Sequence, residues 1–134
     1  MSFRPKERRY AIDVDRDGAM SAEGEGKLGL ESRWTPEHLV LGALAACVVK
    51  SLGYHARSAS LSLSTSAEAS GVVGPRDDGS WGFLQIECHI AADLEPPPDD
   101  LSDLLGRAER GCFIGASLTP KPDYRWTVNG KPAS

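Results

Sequence analysis

One stretch limits what this chain can become: residues 35–54, TPEHLVLGALAACVVKSLGY. No charged residue falls between Glu37 and Lys50. Thr35 is a good N-cap, and Pro36 fits the first helical position, where its missing N–H costs nothing. Glu37 suits the positive helix end, while Lys50, His55 and Arg57 suit the negative one. The pattern predicts a helix that stops near Arg57. Over residues 39–49 it is apolar or small all round, the mark of a helix buried on most sides. Gly42, Ala43, Ala45 and Ala46 let other backbones approach closely. Near the middle sits Cys47, either inert packing or a nucleophile activated from elsewhere.

The flanking segments supply the layer that buries such a helix. Residues 8–14 alternate Tyr10, Ile12 and Val14 with polar neighbours, the period of a half-buried strand. Asp15-Arg16-Asp17-Gly18 reads as a turn, since Asp-Gly is a hairpin signal. A weak second strand over 19–22, a loop over 23–29 and a third short strand over 28–34 lead into the helix. After it, residues 59–69 alternate again, with Leu61, Leu63, Thr65 and Ala67 inward. Residues 75–79, PRDDG, form a turn. Residues 81–94 give the next strand, with Leu84, Ile86, Cys88 and Ile90 on one face. The two long strands are expected to pair as an antiparallel hairpin.

Pro96-Pro97-Pro98 ends that ladder. Asp99 or Asp100 caps a second helix, whose stripe runs Leu101, Leu104, Leu105 and Ala108. Cys112 lies about three turns beyond Leu101 and returns to the same face. Residues 113–118 form a short apolar segment, broken by Pro120 and Pro122. Tyr124, Trp126 and Val128 alternate as a last strand before a polar tail. The expected fold is α+β: an antiparallel β-sheet packed with a long central helix and a second helix. At 134 residues, one domain over 1–134 is expected.

The formal net charge of −4 argues against a nucleic-acid partner. No apolar run reaches the roughly 20 residues of a membrane span, so no membrane is expected. The opening MSFRPKERRY has charge without a following apolar segment, unlike a secretory signal. Three cysteines are too few and odd in number for a disulfide scaffold. A cytoplasmic protein follows, in which a disulfide would be catalytic rather than structural.

Each thiol has its own reading. Cys88 alternates inward in a strand and behaves as a small buried hydrophobe. Cys47 and Cys112 each sit on a buried helical face, and two core helices of a small domain tend to pack together. Inert packing and chemistry both stay open for this pair. Reactivity would need a cation, because the thiolate is the nucleophile and apolar burial raises a thiol's pKa. Arg16, in the turn, is one candidate and Arg33 another; either is also an ordinary surface charge. His38, His55 and His89 have no zinc-like spacing. No phosphate-binding glycine motif is present, so no cofactor is expected.

Several segments taken together resemble the OsmC/Ohr superfamily, the osmotically induced and organic-hydroperoxide-resistance proteins. TPEHLVLGALAAC is similar to the family's Pro-Glu…Ala-Ala-Cys helix. AERGCFIGASL resembles the segment around its second cysteine, and DYRWTVNG its last strand. Order and spacing agree over roughly residues 9–130. Two departures stand out: Phe113 follows Cys112 where proline is frequent, and Thr35 replaces Asn or Ser. The resemblance implies a thiol peroxidase in which Cys47 attacks the peroxide and becomes a sulfenic acid. Cys112 then condenses with it to a disulfide, which a dithiol reductant, a lipoyl-type dithiol among the candidates, reopens. This agrees with the oxidation ladder, where a resolving thiol rescues a sulfenic acid. The resemblance also implies an early arginine, here Arg16, activating the thiolate, and Glu37 holding that arginine.

Geometry adds one expectation of its own. Ten helical residues separate Glu37 from Cys47 by about 15 Å, so the two cannot touch along a straight helix. A site containing both needs a second chain or a long bridge through arginine. A two-fold homodimer with its central helices together would supply that second chain and bury a helix with almost no polar face, and the resemblance implies an intertwined homodimer. The leading expectation is therefore a peroxidase of organic hydroperoxides. A dimeric small-molecule-binding protein of the same fold, without useful turnover, is the alternative.

Overall fold

The computed structural model describes residues 8–14, 16–17, 20–22, 26–28 and 34–133. They fall into two compact units, Met1–Thr35 and Pro36–Ser134.

The first unit is a small antiparallel sheet of β1 (Ile12–Val14), β2 (Met20–Ala22) and β3 (Gly26–Leu28), in that order. Arg16 and Asp17 form the turn after β1, as the Asp-Gly signal indicated. The third strand comes earlier than its apolar pattern suggested. Met20 pairs with Leu28 and Ala22 with Gly26, so the free edge of β2 decides the position. Of the strand expected over 28–34, residues 29–33 lie outside the described residues, and Trp34 is not in a strand. Tyr10 and Ile12 were expected to be half-buried but are 78% and 62% exposed. Three-residue strands are too short to build a covering layer of their own.

The second unit opens with α1 (Pro36–Ser58), within a residue of the stop expected near Arg57. Its side chains Leu44, Val48, Leu52 and Ala56 are spaced by four, stack on one face and are fully buried. They meet Ile86, Ile90, Leu94, Leu105 and Ala108 in one core. Burial on most sides, expected from composition, does not occur within the unit. Gly42, Ala43, Ala46 and Tyr54 are exposed. This helix is also long and apolar enough to cross a membrane by length and composition. Counting apolar runs missed it because Lys50 interrupts the run without ending the helix.

β4 (Ser62–Pro75) and β5 (Trp81–Glu95) form the expected antiparallel hairpin. A bulge breaks the alternation: Val72 pairs with Gln85 and Val73 with Phe83, leaving Leu84 opposite no residue. The inward face therefore shifts from Leu84 to Phe83. Phe83 packs against the core, whereas Leu84, expected inward, is 47% exposed.

α2 (Leu101–Arg110) is capped by Asp100, whose side chain accepts from the Asp103 N–H at 3.0 Å. The helix ends when the Gly111 N–H bonds to the Arg107 carbonyl at 2.9 Å. Cys112 is therefore not on the α2 stripe. Its backbone is extended, and it caps the next helix, α3 (Phe113–Ser117). Then β6 (Asp123–Val128) joins β5, and β7 (Lys131–Ala133) joins β6.

The β5–β6 pairing is parallel, so the four-stranded sheet, order β4-β5-β6-β7, is mixed rather than wholly antiparallel. The cause is the helical connection: α2 and α3 carry the chain back to the start of the sheet, as a crossover must. β7 was expected to be polar tail. Asn129 and Gly130, with φ of 50° and 81°, make the tight turn that brings it back. The Asn129 side chain accepts from the Leu94 N–H at 2.8 Å, tying this turn to the end of β5.

Candidate active site

Cys47 follows the buried stripe of α1 at its edge, between Leu44 and Val48. It is half-buried and packs against the core. Cys112, at the α2–α3 junction, is fully buried. α1 packs against both α2 and α3, which brings the two thiols close enough to interact directly. All three cysteines are free.

The Cys112 sulfur has a polar setting inside the core. It accepts a hydrogen bond from the Gly115 N–H at 3.4 Å. The Tyr124 hydroxyl, reaching in from β6, lies beside it. That hydroxyl is buried and is aligned for a hydrogen bond with no neighbour. A Cβ on residue 115 would sit 1.9 Å from the Tyr124 oxygen and 3.3 Å from the Cys112 sulfur. Only glycine leaves room for the hydroxyl there.

Burial pushes the Cys112 thiol up, and the nearby Cys47 sulfur pushes it further. Tyr124 first, then the Gly115 N–H, pull it back down. Cys88, in β5, is pushed up to about 11 by burial first and by Cys112 second. The Tyr124 hydroxyl is also raised, chiefly by burial and then by Cys112.

The charged candidates stand on other elements of the chain. Glu37 is exposed in the first turn of α1. Arg16 is exposed in the β1–β2 turn of the first unit. Arg33 lies outside the described residues. Among the described residues, no three His, Cys, Asp or Glu side chains gather to hold a metal. A surface groove of ≈ 380 Å³ in the second unit, lined by His55, Asp100, Asp103 and Arg107 among others, does not reach any cysteine. Tyr124 and Gly115 were not recognised as site residues from the sequence. The available signal was a phenol at an inward strand position, a polar tip that needs a partner.

The OsmC-like protein family model matches residues 27–127. The chain belongs to the OsmC-like family. The matched region includes Glu37, Cys47, Cys112 and Tyr124, and excludes Arg16. No curated protein sequence matches the chain. Solved structures reproduce the fold of this OsmC-like protein at low identity. An OsmC-like protein of unknown function from Vibrio cholerae aligns with TM-score 0.75 and 13% identity, over 90% of this chain and 100% of that one. An organic hydroperoxide resistance protein from Elizabethkingia anophelis, with thiocyanate bound, aligns with TM-score 0.65 and 18% identity, over 92% and 96%. A putative organic hydroperoxide resistance protein from Vibrio cholerae, with captopril bound in one of its active sites, gives TM-score 0.69 and 20% identity, over 96% of both chains.

Proposed function

We propose that this OsmC-like protein is a cysteine peroxidase that reduces organic hydroperoxides. The observation that carries the reading is the pairing of a half-buried thiol, Cys47, with a fully buried one, Cys112, close enough to interact. A nucleophile must meet its substrate, whereas a resolving thiol needs only to meet the nucleophile. The Cys47 thiolate attacks the peroxide, its O–O bond breaks, an alcohol leaves and Cys47 becomes a sulfenic acid. Cys112 then displaces water from that sulfur to form the Cys47–Cys112 disulfide. A dithiol reductant in the cytoplasm takes the disulfide back to two thiols.

The thiolate needs a cation, and the proposal assigns Arg16 to it, held by Glu37. It also assigns the missing cover of α1 to a second copy of the chain. The exposed small face of Gly42, Ala43 and Ala46, with Tyr54 63% exposed, supports close helix packing in a homodimer. Neither Arg16 nor Glu37 then has to meet Cys47 of its own chain.

Peroxide consumption with a dithiol tests the chemistry. Wild type is expected to consume alkyl hydroperoxides, and a silent wild type across several of them rejects it. Analytical ultracentrifugation tests the assembly. A dimer that falls to monomer in Ala46→Glu is expected, and a monomeric wild type refutes the shared interface.

A further inference from the structure

A buried hydroxyl without a hydrogen bond is costly, on the order of 1–3 kcal/mol, and native proteins rarely keep one. Tyr124 keeps one, and the chain provides a glycine at 115 where any side chain would collide with it. Packing does not require this arrangement, since phenylalanine would fill the same space without an unpaired oxygen. The hydroxyl lies beside the Cys112 sulfur, since a Cβ on residue 115 would be 1.9 Å from the one and 3.3 Å from the other, and the Gly115 N–H already donates to that sulfur at 3.4 Å. A neutral thiol is a weak acceptor; a thiolate is a strong one.

We propose that the Tyr124 hydroxyl and the Gly115 N–H form a two-donor pocket that stabilises the Cys112 sulfur as the leaving thiolate when the Cys47–Cys112 disulfide is reopened. The inference rests on the disulfide of the proposed function, but not on what oxidant forms it. A thiolate of the dithiol reductant attacks the Cys47 sulfur and forms a mixed disulfide there. The Cys47–Cys112 bond breaks, and its electron pair goes to the Cys112 sulfur, where the two donors receive it. The reductant's second thiol then attacks its own sulfur in the mixed disulfide, closing a reductant disulfide and releasing Cys47. Cys112 regains a proton from solvent. Access favours the same direction, because Cys47 is the partly exposed sulfur and Cys112 is sealed. A better leaving thiolate leaves faster.

Unfolding tests separate this role from a structural one. Tyr124→Phe removes an oxygen that makes no aligned hydrogen bond while Cys112 is a neutral thiol, so its melting temperature should equal or exceed that of wild type. The chemical test uses the full chain, with the disulfide formed by diamide and reopened by dithiothreitol. Reopening in Tyr124→Phe is expected to be about tenfold slower, the worth of one hydrogen bond to a charged sulfur. Gly115→Ala, which drives a methyl into the hydroxyl, should slow it similarly, and the double variant should be no slower than either alone. A monothiol should trap its mixed disulfide on Cys47, and do so more slowly in Tyr124→Phe than in wild type.

Equal reopening rates in wild type and both single variants would overturn the proposal. So would failure of diamide to link Cys47 to Cys112. A disulfide that forms and responds to Tyr124→Phe, in a protein that consumes no peroxide, would leave the donor pocket standing and remove the peroxidase reading instead.

Discussion

Cys88 and Cys112 are both fully buried, yet their surroundings differ in kind. Cys88 sits in mid-strand, in register with Ala69 on one side and Tyr124 on the other. Burial dominates its environment and pushes the thiol to about 11. Cys112 sits where one helix ends and another begins, with Gly115, Tyr124 and Cys47 around its sulfur. Burial raises it too, but the adjacent Tyr124 hydroxyl and the Gly115 N–H work against that rise. The comparison teaches that depth alone does not make a thiol inert. A strand interior has its N–H groups committed to the ladder, whereas a helix junction leaves N–H groups free to serve a side chain.

The largest effect that can break this comparison is on turnover. Cys47→Ser should lower steady-state peroxide consumption by at least about a thousandfold, as loss of a nucleophile does. Undiminished consumption would mean that a different thiol reacts.

Cys112→Ser should give one burst of peroxide consumption and then arrest. Without its resolving partner, Cys47 should climb to the sulfinic acid, which intact-mass spectrometry detects. Sustained turnover, or a disulfide to Cys88, would move the resolving role away from Cys112.

Stability at alkaline pH probes the other side of the comparison. Cys88 has an ordinary value near 9.0 and a folded value of about 11. The folded state therefore holds a proton that the unfolded state releases. The stability contributed by the neutral thiol is fully present below pH 9 and is lost as pH rises towards 11, on the order of 2 kcal/mol. Cys112 and Tyr124 are shifted the same way and add to this limb. Urea titrations between pH 8 and 11 should show the decline, shallower in Cys88→Ala. An unchanged slope would mean that Cys88 does not carry it.

The smallest effect is expected in the same variant's turnover. Cys88→Ala should consume peroxide within about twofold of wild type, since a core truncation changes stability more than chemistry. A larger loss would make Cys88 part of the redox chain.

Much of the fold was legible because its signals are local. Thr35-Pro36-Glu37 marked the start of α1, Asp100 the cap of α2, and alternation the β4–β5 hairpin. Asn129-Gly130 is equally readable as a turn, although the polar composition around it suggests only a tail. Leu84 was read inward because a bulge shifts alternation without leaving a sequence mark of its own. Helical spacing alone extends α2 to Cys112, past a glycine that ends the helix in space. Of the candidate site, Cys47 and Cys112 were visible through the family's segments, while Tyr124 and Gly115 were not. Eleven residues, two of them proline, lie between Cys112 and Tyr124, and only the parallel return of β6 brings the phenol to the sulfur.

The sequence by itself determined that residues 35–54 form a helix apolar enough to organise a core, and that a thiol lies within it. Periodicity and capping act over a few residues, so a linear reading reaches them. The tertiary structure decided which stripe of that helix is buried, which thiol is sealed and which donors face it. Those outcomes depend on strand direction, on the bulge and on where α2 stops. Such contacts join residues distant in the chain, and no local pattern encodes their register.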